Sequence, residues 1–532
     1  MDFIAENLLT ILILLPVVGA VLMLAYSAFA KQESQLKWLT LGFTVLNFIV
    51  SLFLFLDRGA PGPSGFYFEQ NVPWIKAINT NYHVGVDGLS FWLVILTTFI
   101  MPIAVISTWH AVEKKQTAFY IFLLLLESAM IGVFVSLDLL VFYLFFEASL
   151  VPMFFLIGVW GGANRIYAAI KFFIFTALGS LLMLVAIIAM YYIYADQTGL
   201  GGSWDFVAIL AAMKTGQLVL APQTGMLLFL AFALAFAIKV PLFPFHTWLP
   251  DAHTEAPTAG SVILAAILLK MGTYGLMRFN FALFPDQARE TAWIFITLAI
   301  IGIIYGALVA MVQPDVKRLV AYSSVAHMGF VILGMFSFTE MGMQGAVYQM
   351  LNHGVSTGAL FLLVGFIYER RHTREISEFG GLANVMPIYA TVFIITVLSS
   401  VGLPFLNGFV GEFLIMVGMF QSQALGIYSG WNWNYVATML AGTGVIFAAV
   451  YLLWMVQRVF FGKVTNDKNK ALVDLSWREI GLMIPLLILM VYMGVFPKPF
   501  LKRTDDTVRE IQERVIQRAG GEIEKAEIKT EP

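Results

Sequence analysis

The chain contains no cysteine, and only 12% of its residues are charged. Without cysteine it has no disulfide, no thiolate-bound iron–sulfur cluster and no covalently attached haem. Neither GxxxxGK[ST] nor a strand-borne GxGxxG occurs, so the sequence shows no nucleotide-binding site. Any chemistry within the chain must therefore use Asp, Glu, Lys, Arg, His and water.

Long apolar runs dominate the sequence. Hydrophobic residues make up 60% of it and the mean hydropathy is +0.84, values that exclude a soluble globular protein. A membrane-spanning helix needs about 20 apolar residues, and about fourteen such runs occur. They are unbroken and lack two-residue alternation, which favours helices over a barrel. We therefore expect an all-α polytopic membrane protein with about fourteen spans, centred near residues 18, 46, 99, 127, 150, 181, 236, 269, 302, 328, 355, 399, 448 and 489.

Charges near the predicted spans indicate the orientation of the chain. Asp2 and Glu6 stand where a signal peptide would carry basic residues, so the first run is predicted to be a permanent span. Lys and Arg are more frequent in one alternate set of loops, which the positive-inside rule assigns to the cytoplasmic side. Both termini are then predicted to lie on the outer side. The loops assigned to the inside carry Lys31, Lys37, Lys114, Lys115, Arg165, Lys317, Arg318, Arg370, Arg371 and Arg374, and further cations from Arg458 to Arg478.

Each half of the sequence holds one predicted span with a Pro/Gly interruption, and both of these spans are expected to break. The sequences are KVPLFPFHTWLP, residues 239–250, and GLPFLNGFVGE, residues 402–412. Proline lacks an amide donor and clashes with the carbonyl four residues earlier. Broken backbone is tolerated in a membrane only where protein packs on it or water reaches it. A weak match of the chain with itself at a shift of about 180 residues places one such span in each half, as in many transporters.

Ionisable residues lie within the apolar spans, where a charge costs ~2.5–3.5 kcal/mol on insertion scales. A single such residue is often a structural ion pair or extends to the membrane surface. A set of eight favours a functional series instead. The residues are Glu127, Glu147, Lys171, Lys239, Lys270, His327, His353 and Glu412.

Glu147 and Lys239 are predicted to form an ion pair. The pair is either a static bridge between two helices or part of a proton path. Lys270 has no dedicated acid in the sequence, and burial penalises a charged lysine. We therefore interpret Lys270 as a proton carrier.

His327 and His353 extend the series, because imidazole titrates near the working pH. The alternatives are hydrogen-bonded core histidines or haem ligands on adjacent helices. With Glu412 they are predicted to complete a lateral row at mid-membrane depth, in which bridging water carries protons.

Polar residues also follow the first predicted break. His246 is assigned to the supporting proton path, together with His253, Lys171 and Glu127. His253 lies with Glu255 in DAHTEAPTAG, residues 251–260. These two either guard a proton entrance or cap the helix that opens near Pro257, and the sequence leaves both open.

Three segments carry a family resemblance: FFEASLVPMFFLIGVWG, KVPLFPFHTWLPDAHTEAPTAGSVILAAILLKMGTYGLMR and GLPFLNGFVGEF. Together they resemble the subunit M family (NuoM type) of bacterial respiratory complex I, the counterpart of mitochondrial subunit 4. The likeness runs from about Gly85 to Gly462. It implies fourteen spans, two inverted five-helix repeats, and Glu147, Lys239, Lys270 and Glu412 as the essential charges. Glu412 favours this family, because sister subunits and Mrp-type antiporter subunits typically carry lysine there.

The resemblance implies four regions. They are N-terminal spans with an outward loop at 1–110, a first repeat for proton input at 111–281, a second repeat for proton output at 282–462, and a last span with a charged tail at 463–532.

The expected function is proton translocation in the membrane arm, coupled to NADH-driven quinone reduction in other subunits. FMN, iron–sulfur clusters and quinone are then expected in those subunits, with no cofactor or metal in this chain. The expected partners are the neighbouring antiporter-like subunits and the lipid of the bacterial inner membrane, without nucleic acid. The alternative is a subunit of an Mrp-type Na+/H+ antiporter.

Overall fold

The computed structural model describes residues 6–29, 35–56, 62, 64–428 and 430–517. Thirteen helices in this part are long and apolar enough to cross a membrane. The predicted run centred near residue 399 falls on a shorter apolar helix, Pro387–Val401. The all-α polytopic prediction is confirmed. The predictions resting on Asp2, Lys31 and the tail after residue 517 lie outside the described residues.

The helices are numbered here in chain order. The span Leu139–Trp160 is divided at Ser149, three residues before Pro152, and the span Thr258–Leu283 contains two π-helical turns. The helices are α1 (Leu8–Phe29), α2 (Leu36–Ser51), α3 (Gly88–Ser107), α4 (Gln116–Val135), α5 (Leu139–Trp160), α6 (Arg165–Thr198), α7 (Phe206–Lys214), α8 (Pro222–Lys239), α9 (Trp248–Glu255), α10 (Thr258–Leu283), α11 (Pro285–Glu290), α12 (Ala292–Met311), α13 (Val316–Phe336), α14 (Glu340–Arg371), α15 (Pro387–Val401), α16 (Asn407–Gln421), α17 (Trp433–Phe460), α18 (Asp467–Lys470), α19 (Trp477–Val495) and α20 (Lys498–Gln517).

An antiparallel hairpin of β1 (Tyr67–Ile75) and β2 (Thr80–Val86) lies over one end of the helices. The surface helix α20 lies at the same end, where the Thr507 hydroxyl accepts from Gly88 N at 3.1 Å. Val508, Ile511 and Val515 are buried, as their helical spacing predicts. We call this end the hairpin side, and the other end the opposite side.

Helix α8 ends at Lys239 because Pro241 has no amide proton for the carbonyl of Ala237. Leu242 N donates to that carbonyl instead, at 2.8 Å. The indole of Trp248, at the start of α9, donates to Ile238 O at 2.8 Å. The freed backbone groups are therefore satisfied inside the protein, as a break within a membrane requires.

The second break separates α15 from α16. Gly402 has φ +83°, a left-handed conformation that suits glycine at a helix C-terminus. Leu403 N donates to Leu398 O at 3.0 Å and closes the helix. Gly408 approaches so closely that a Cβ there would lie 2.1 Å from Ser399 O. Both predicted breaks are confirmed.

Helices α5 and α13 begin alike, although they start on opposite sides. Asp138 caps α5 and Asp315 caps α13, each accepting from two backbone amides. Beside each cap, two backbone hydrogen bonds join the start of the helix to a later segment of the chain. The bonds are Leu139 N to Trp204 O and Phe206 N to Leu137 O, and Val316 N to Arg374 O and Ile376 N to Pro314 O, all between 2.8 and 3.0 Å.

His83 connects the hairpin to the α6–α7 connection. Its Nδ1 lies 2.7 Å from Asp205 Oδ2 and its Nε2 lies 2.8 Å from Glu69 Oε1. Burial lowers the pKa of His83, but the hydrogen bonds and charges of Asp205 and Glu69 outweigh it and hold the pKa above its ordinary value. Burial raises the pKa of Asp205, but the hydrogen bond and charge of His83 lower it by a larger amount, so the net shift is downward.

We expect His83→Gln to loosen the hairpin in a pH-dependent way. The imidazolium contributes fully below its ordinary pKa, and this stability is lost as pH rises through the raised pKa of His83. The variant should lower the free energy of hairpin opening by on the order of 2 kcal/mol at about pH 6, and by less at about pH 9. Hydrogen exchange of residues 67–86, corrected for intrinsic rates, measures this difference. Equal protection of both proteins at both pH values would contradict it.

Candidate proton-transfer site

Lys270 lies at the centre of the helix bundle on α10 and is fully buried. Its Nζ donates to Ala265 O at 2.6 Å and lies 2.7 Å from His353 Nδ1 on α14. A π-helical turn, Leu264–Leu268, directly precedes the lysine. Such a turn widens the helix and is frequent at functional sites. The lysine therefore contacts a group that can accept a proton, with no carboxylate bonded to it among the described residues.

His327 and Glu412 form the other end of this group. His327 Nδ1 on α13 lies 2.7 Å from Glu412 Oε1 on α16, and both residues are buried. Gln349 on α14 donates to the same carboxylate oxygen at 3.0 Å. The rings of His327 and His353 have centroids 6.2 Å apart. Lys270, His353, His327 and Glu412 thus follow one another through four helices.

The break before α16 is joined to α14 by amides. Asn352 Nδ2 donates to Asn407 O at 2.8 Å and to Gln349 Oε1 at 3.0 Å. Ser399, at the end of α15, donates to Asn407 Oδ1. These bonds fix Glu412, one and a half turns further along α16, against His327.

The ion pair predicted between Glu147 and Lys239 is not formed in this structure. In the described part of the chain, neither Lys239 Nζ nor Glu147 Oε1 has a hydrogen-bond partner. Lys239 Nζ instead faces the rings of Phe146 and Phe172, 5.0 and 5.7 Å from their centroids. Phe146 points inward and Glu147, the next residue around the helix, is only half-buried. The two charges remain within electrostatic range of each other.

Three predicted supporting residues lie away from the central group. Glu127 on α4 faces α2, where it accepts from Asn47 Nδ2 at 2.8 Å. Lys171 forms an ion pair with Asp251 of α9 at 2.7 Å. His246 packs beside the rings of Phe243, Tyr305 and Tyr322.

His253 on α9 is fully buried, and its ring is parallel to Phe361 with centroids 4.4 Å apart. It lies within electrostatic range of Lys270 on one side and Lys317 on the other. Neither ring nitrogen has a hydrogen-bond partner among the described residues.

Sequence reasoning missed several polar residues of the site. Gln349 and Asn352 share one face of α14 with His353, and this i, i+3, i+4 spacing in an apolar helix was a readable signal. Lys317 is assigned to a loop from the sequence, but it lies buried in the first turn of α13. Its position beside a predicted span end gave no signal of burial. Within the described ranges, no group of three or more His, Cys, Asp and Glu residues forms a candidate metal site.

Comparison with known proteins gives the family. Residues 136–440 match the family described as NADH:quinone oxidoreductase/Mrp antiporter, TM. NADH-quinone oxidoreductase subunit M of Rhodobacter capsulatus is 46% identical over 502 residues, covering 92% of this chain and 94% of the relative. The Rickettsia prowazekii subunit M is 43% identical, with 93% and 96% covered. NADH-ubiquinone oxidoreductase chain 4 of Marchantia polymorpha is 41% identical, with 92% and 94% covered.

Solved structures with the same fold include a chain of respiratory complex I. A chain of respiratory complex I from Thermus thermophilus, with bound NADH, superposes with a TM-score of 0.83 at 32% identity, covering 95% of this chain and 99% of that one. A chain of the Mrp complex from Dietzia has a TM-score of 0.76 at 21% identity, and 52% of it is covered. The second likeness shows the fold alone. The chain therefore belongs to the NADH:quinone oxidoreductase/Mrp antiporter transmembrane family, and within it to the subunit M members.

Proposed function

We propose that this chain is a proton-translocating subunit in the membrane arm of NADH:quinone oxidoreductase. Its relatives at 41 to 46% identity carry that enzyme's name. The observation that carries the proposal is the buried group of Lys270, His353, His327 and Glu412, in which two contacts of 2.7 Å are joined by neighbouring imidazole rings. Intramembrane ionisable residues connected in this way mark proton relays.

The geometry supports a stepwise transfer. Protonated Lys270 gives a proton to His353 Nδ1 across their 2.7 Å contact and becomes a neutral amine. His353 passes a proton to His327, whose ring is 6.2 Å away, through intervening water. His327 then gives a proton to Glu412 across the second 2.7 Å contact. Each transfer breaks one bond to hydrogen and makes another, so no oxidant or reductant is needed here.

Glu147 and Lys239 supply the electrostatic control in this proposal. At an effective dielectric constant near 20, a pair of unit charges gains ~4 kcal/mol at about 4 Å and about half of that at twice the distance. Forming or opening the pair therefore changes the energy of Lys239 by about 2 kcal/mol. Moving one charge across the membrane against 100 mV costs ~2.3 kcal/mol. The open arrangement of Lys239, with its Nζ against two aromatic rings, represents one of the two states.

The supporting roles follow the same proposal. The matching starts of α5 and α13 on opposite sides support the division into inverted repeats at 111–281 and 282–462, between 1–110 and 463–532. We assign Lys171, His246 and Glu127 to the environment of the path and not to its contacts. We further propose that the hairpin side and both termini face outward from a bacterial inner membrane. FMN, iron–sulfur clusters and quinone would then belong to other subunits.

The Mrp-type antiporter alternative has less support. The Dietzia Mrp match is 21% identical, whereas the subunit M relatives reach 46%. Glu412 also stands where those antiporter subunits typically carry lysine.

We expect Glu412→Gln and Lys270→Met each to reduce proton pumping by about tenfold or more, since each removes an ionisable group from the relay. Glutamine keeps the size and the acceptor oxygen used by Gln349, so assembly should persist. Pumping and NADH oxidation in membrane vesicles, with subunit content checked by immunoblot, measure the effect.

Matched controls are Glu340→Gln and Lys214→Met. Both residues lie on the hairpin side in exposed ion pairs, Glu340 with Arg509 and Lys214 with Glu510. Normal pumping by assembled Glu412→Gln would exclude the relay.

We expect Glu147→Ala and Lys239→Ala, made one at a time, to lower electron transfer and pumping together, by roughly fivefold or more, because both charges are needed for coupling. The two rates, measured separately in vesicles, give the pumping stoichiometry. If both variants keep normal rates and stoichiometry, the pair is only structural.

A further inference from the structure

Helix α10 carries two further buried polar residues beyond Lys270, namely Tyr274 and Arg278. The three residues are spaced four apart, so they follow one another along one face of the helix toward the hairpin side. Arg278 then lies about 12 Å beyond Lys270 along the helix axis. It belongs to the second π-helical turn, Leu276–Asn280, and such turns are frequent at functional sites. The proposed relay uses neither residue, because it leaves Lys270 sideways through His353.

Arg278 forms a buried ion pair with Asp87. Arg278 is 5% exposed, and its Nη2 lies 2.5 Å from Asp87 Oδ1. The same carboxylate oxygen caps α3 by accepting from the amides of Leu89 and Ser90, both at 3.1 Å. The guanidinium also lies 5.1 Å from the centroid of the Phe66 ring. The arginine is therefore fixed where α10 meets the start of α3 and the segment that leads into the hairpin.

Tyr274 fills the space between the lysine and the arginine. Its hydroxyl donates to Phe134 O at 3.0 Å and accepts from Arg278 Nε at 3.3 Å. The rings of Phe134 and Phe279 pack on the Tyr274 ring, with centroids 5.4 and 6.4 Å away, and all three side chains are fully buried. The hydroxyl proton thus points to a backbone carbonyl inside an aromatic layer.

The chemistry of the guanidinium separates Arg278 from the other ionisable residues of the relay. It has five donors and no acceptor, and it is not deprotonated in proteins. It therefore cannot take a proton from one side and release one to the other, as lysine, histidine and glutamate can. A fixed arginine also raises the electrostatic barrier to protons in membrane pores. Asp87 compensates its charge, which makes its burial tolerable.

The relay requires a closed route at this position. Tyr274 and Asp87 offer a phenol and a carboxylate along the face that leads from Lys270 to the hairpin side, and both groups can carry protons. An open route there would let protons run down their gradient through Lys270 without passing His353. The position of Arg278 between these groups closes that route.

We propose that Arg278, held by Asp87 and Tyr274, insulates Lys270 from the medium on the hairpin side. The closure directs a proton on Lys270 to His353, and it keeps protons of the hairpin side from returning to Lys270. Arg278 is a positioning residue that exchanges no proton itself. The inference rests on the proposed function, because a closed route matters only if Lys270 carries protons.

We expect Arg278→Gln to make the assembled complex leak protons. In proteoliposomes without NADH, an imposed pH gradient should decay at least severalfold faster than with the unmodified complex. With NADH present, electron transfer should continue while the number of protons pumped per electron pair falls. Arg289→Gln, in a surface ion pair with Asp286, is the matched control and should change neither quantity. Assembled Arg278→Gln with normal decay and normal stoichiometry would overturn the insulation.

A double variant tests the route of the leak. Lys270→Met in the Arg278→Gln background should restore slow decay, because the leak is proposed to pass through Lys270. A leak that persists without Lys270 would show a different route and overturn the inference. If Arg278→Gln does not assemble, Arg278→Lys decides, since lysine keeps the positive charge but can release a proton. Faster decay with that variant supports the inference, and unchanged decay overturns it.

Lys270→Met alone separates this inference from the proposed function. If Lys270→Met abolishes pumping while Arg278→Gln remains tight to protons, the insulation is wrong and the relay stands. If Lys270→Met pumps normally, the proposed function fails and the insulation fails with it.

Discussion

The cost of burying charge in a medium without water organises this protein. An ionisable group inside a span is costly unless it is paired, hydrogen-bonded or reached by water, because the alternative is an uncompensated charge in hydrocarbon. Lys270 meets this requirement through a carbonyl and an imidazole, and Glu412 through an imidazole and an amide. Of these partners the imidazoles can exchange protons, whereas a carboxylate beside Lys270 would favour its charged form. The same contacts that make burial tolerable therefore make transfer feasible.

The two broken helices are the backbone counterpart of that requirement. Near Lys239 and Gly402, proline and glycine leave backbone groups without a partner in the helix. Nearby side chains such as those of Trp248 and Asn352 donate hydrogen bonds to carbonyl groups at these breaks. Each break places the end of a helix beside an ionisable residue. The first break leaves Lys239 at a helix C-terminus, where the helix dipole favours a cation. At both breaks an irregular backbone thus lies beside a buried ionisable residue, and its freed backbone groups are hydrogen-bonded within the protein.

The two sides of the protein are built differently. On the hairpin side, the His83 ring forms hydrogen bonds with two carboxylates, and α20 packs over the helix ends. On the opposite side, a cavity reaches Lys317 and Glu255 beneath the helix ends. The ring nitrogens of His83 are both hydrogen-bonded, whereas neither ring nitrogen of His253 has a partner among the described residues.

The sequence by itself determined the fold class, the two helix breaks and the ionisable residues that lie inside the spans. Apolar run length fixes spans, proline and glycine fix interruptions, and charge inside a span is visible without coordinates. Only the tertiary structure decided which of those charges meet. It brought Lys270 to His353 and His327 to Glu412, kept Lys239 apart from Glu147, placed Glu127 beside Asn47, and buried Lys317. The reason is that hydropathy reports the depth of a residue but not its direction. Partners on different helices are set by helix rotation and packing, and these depend on contacts between residues distant in the chain.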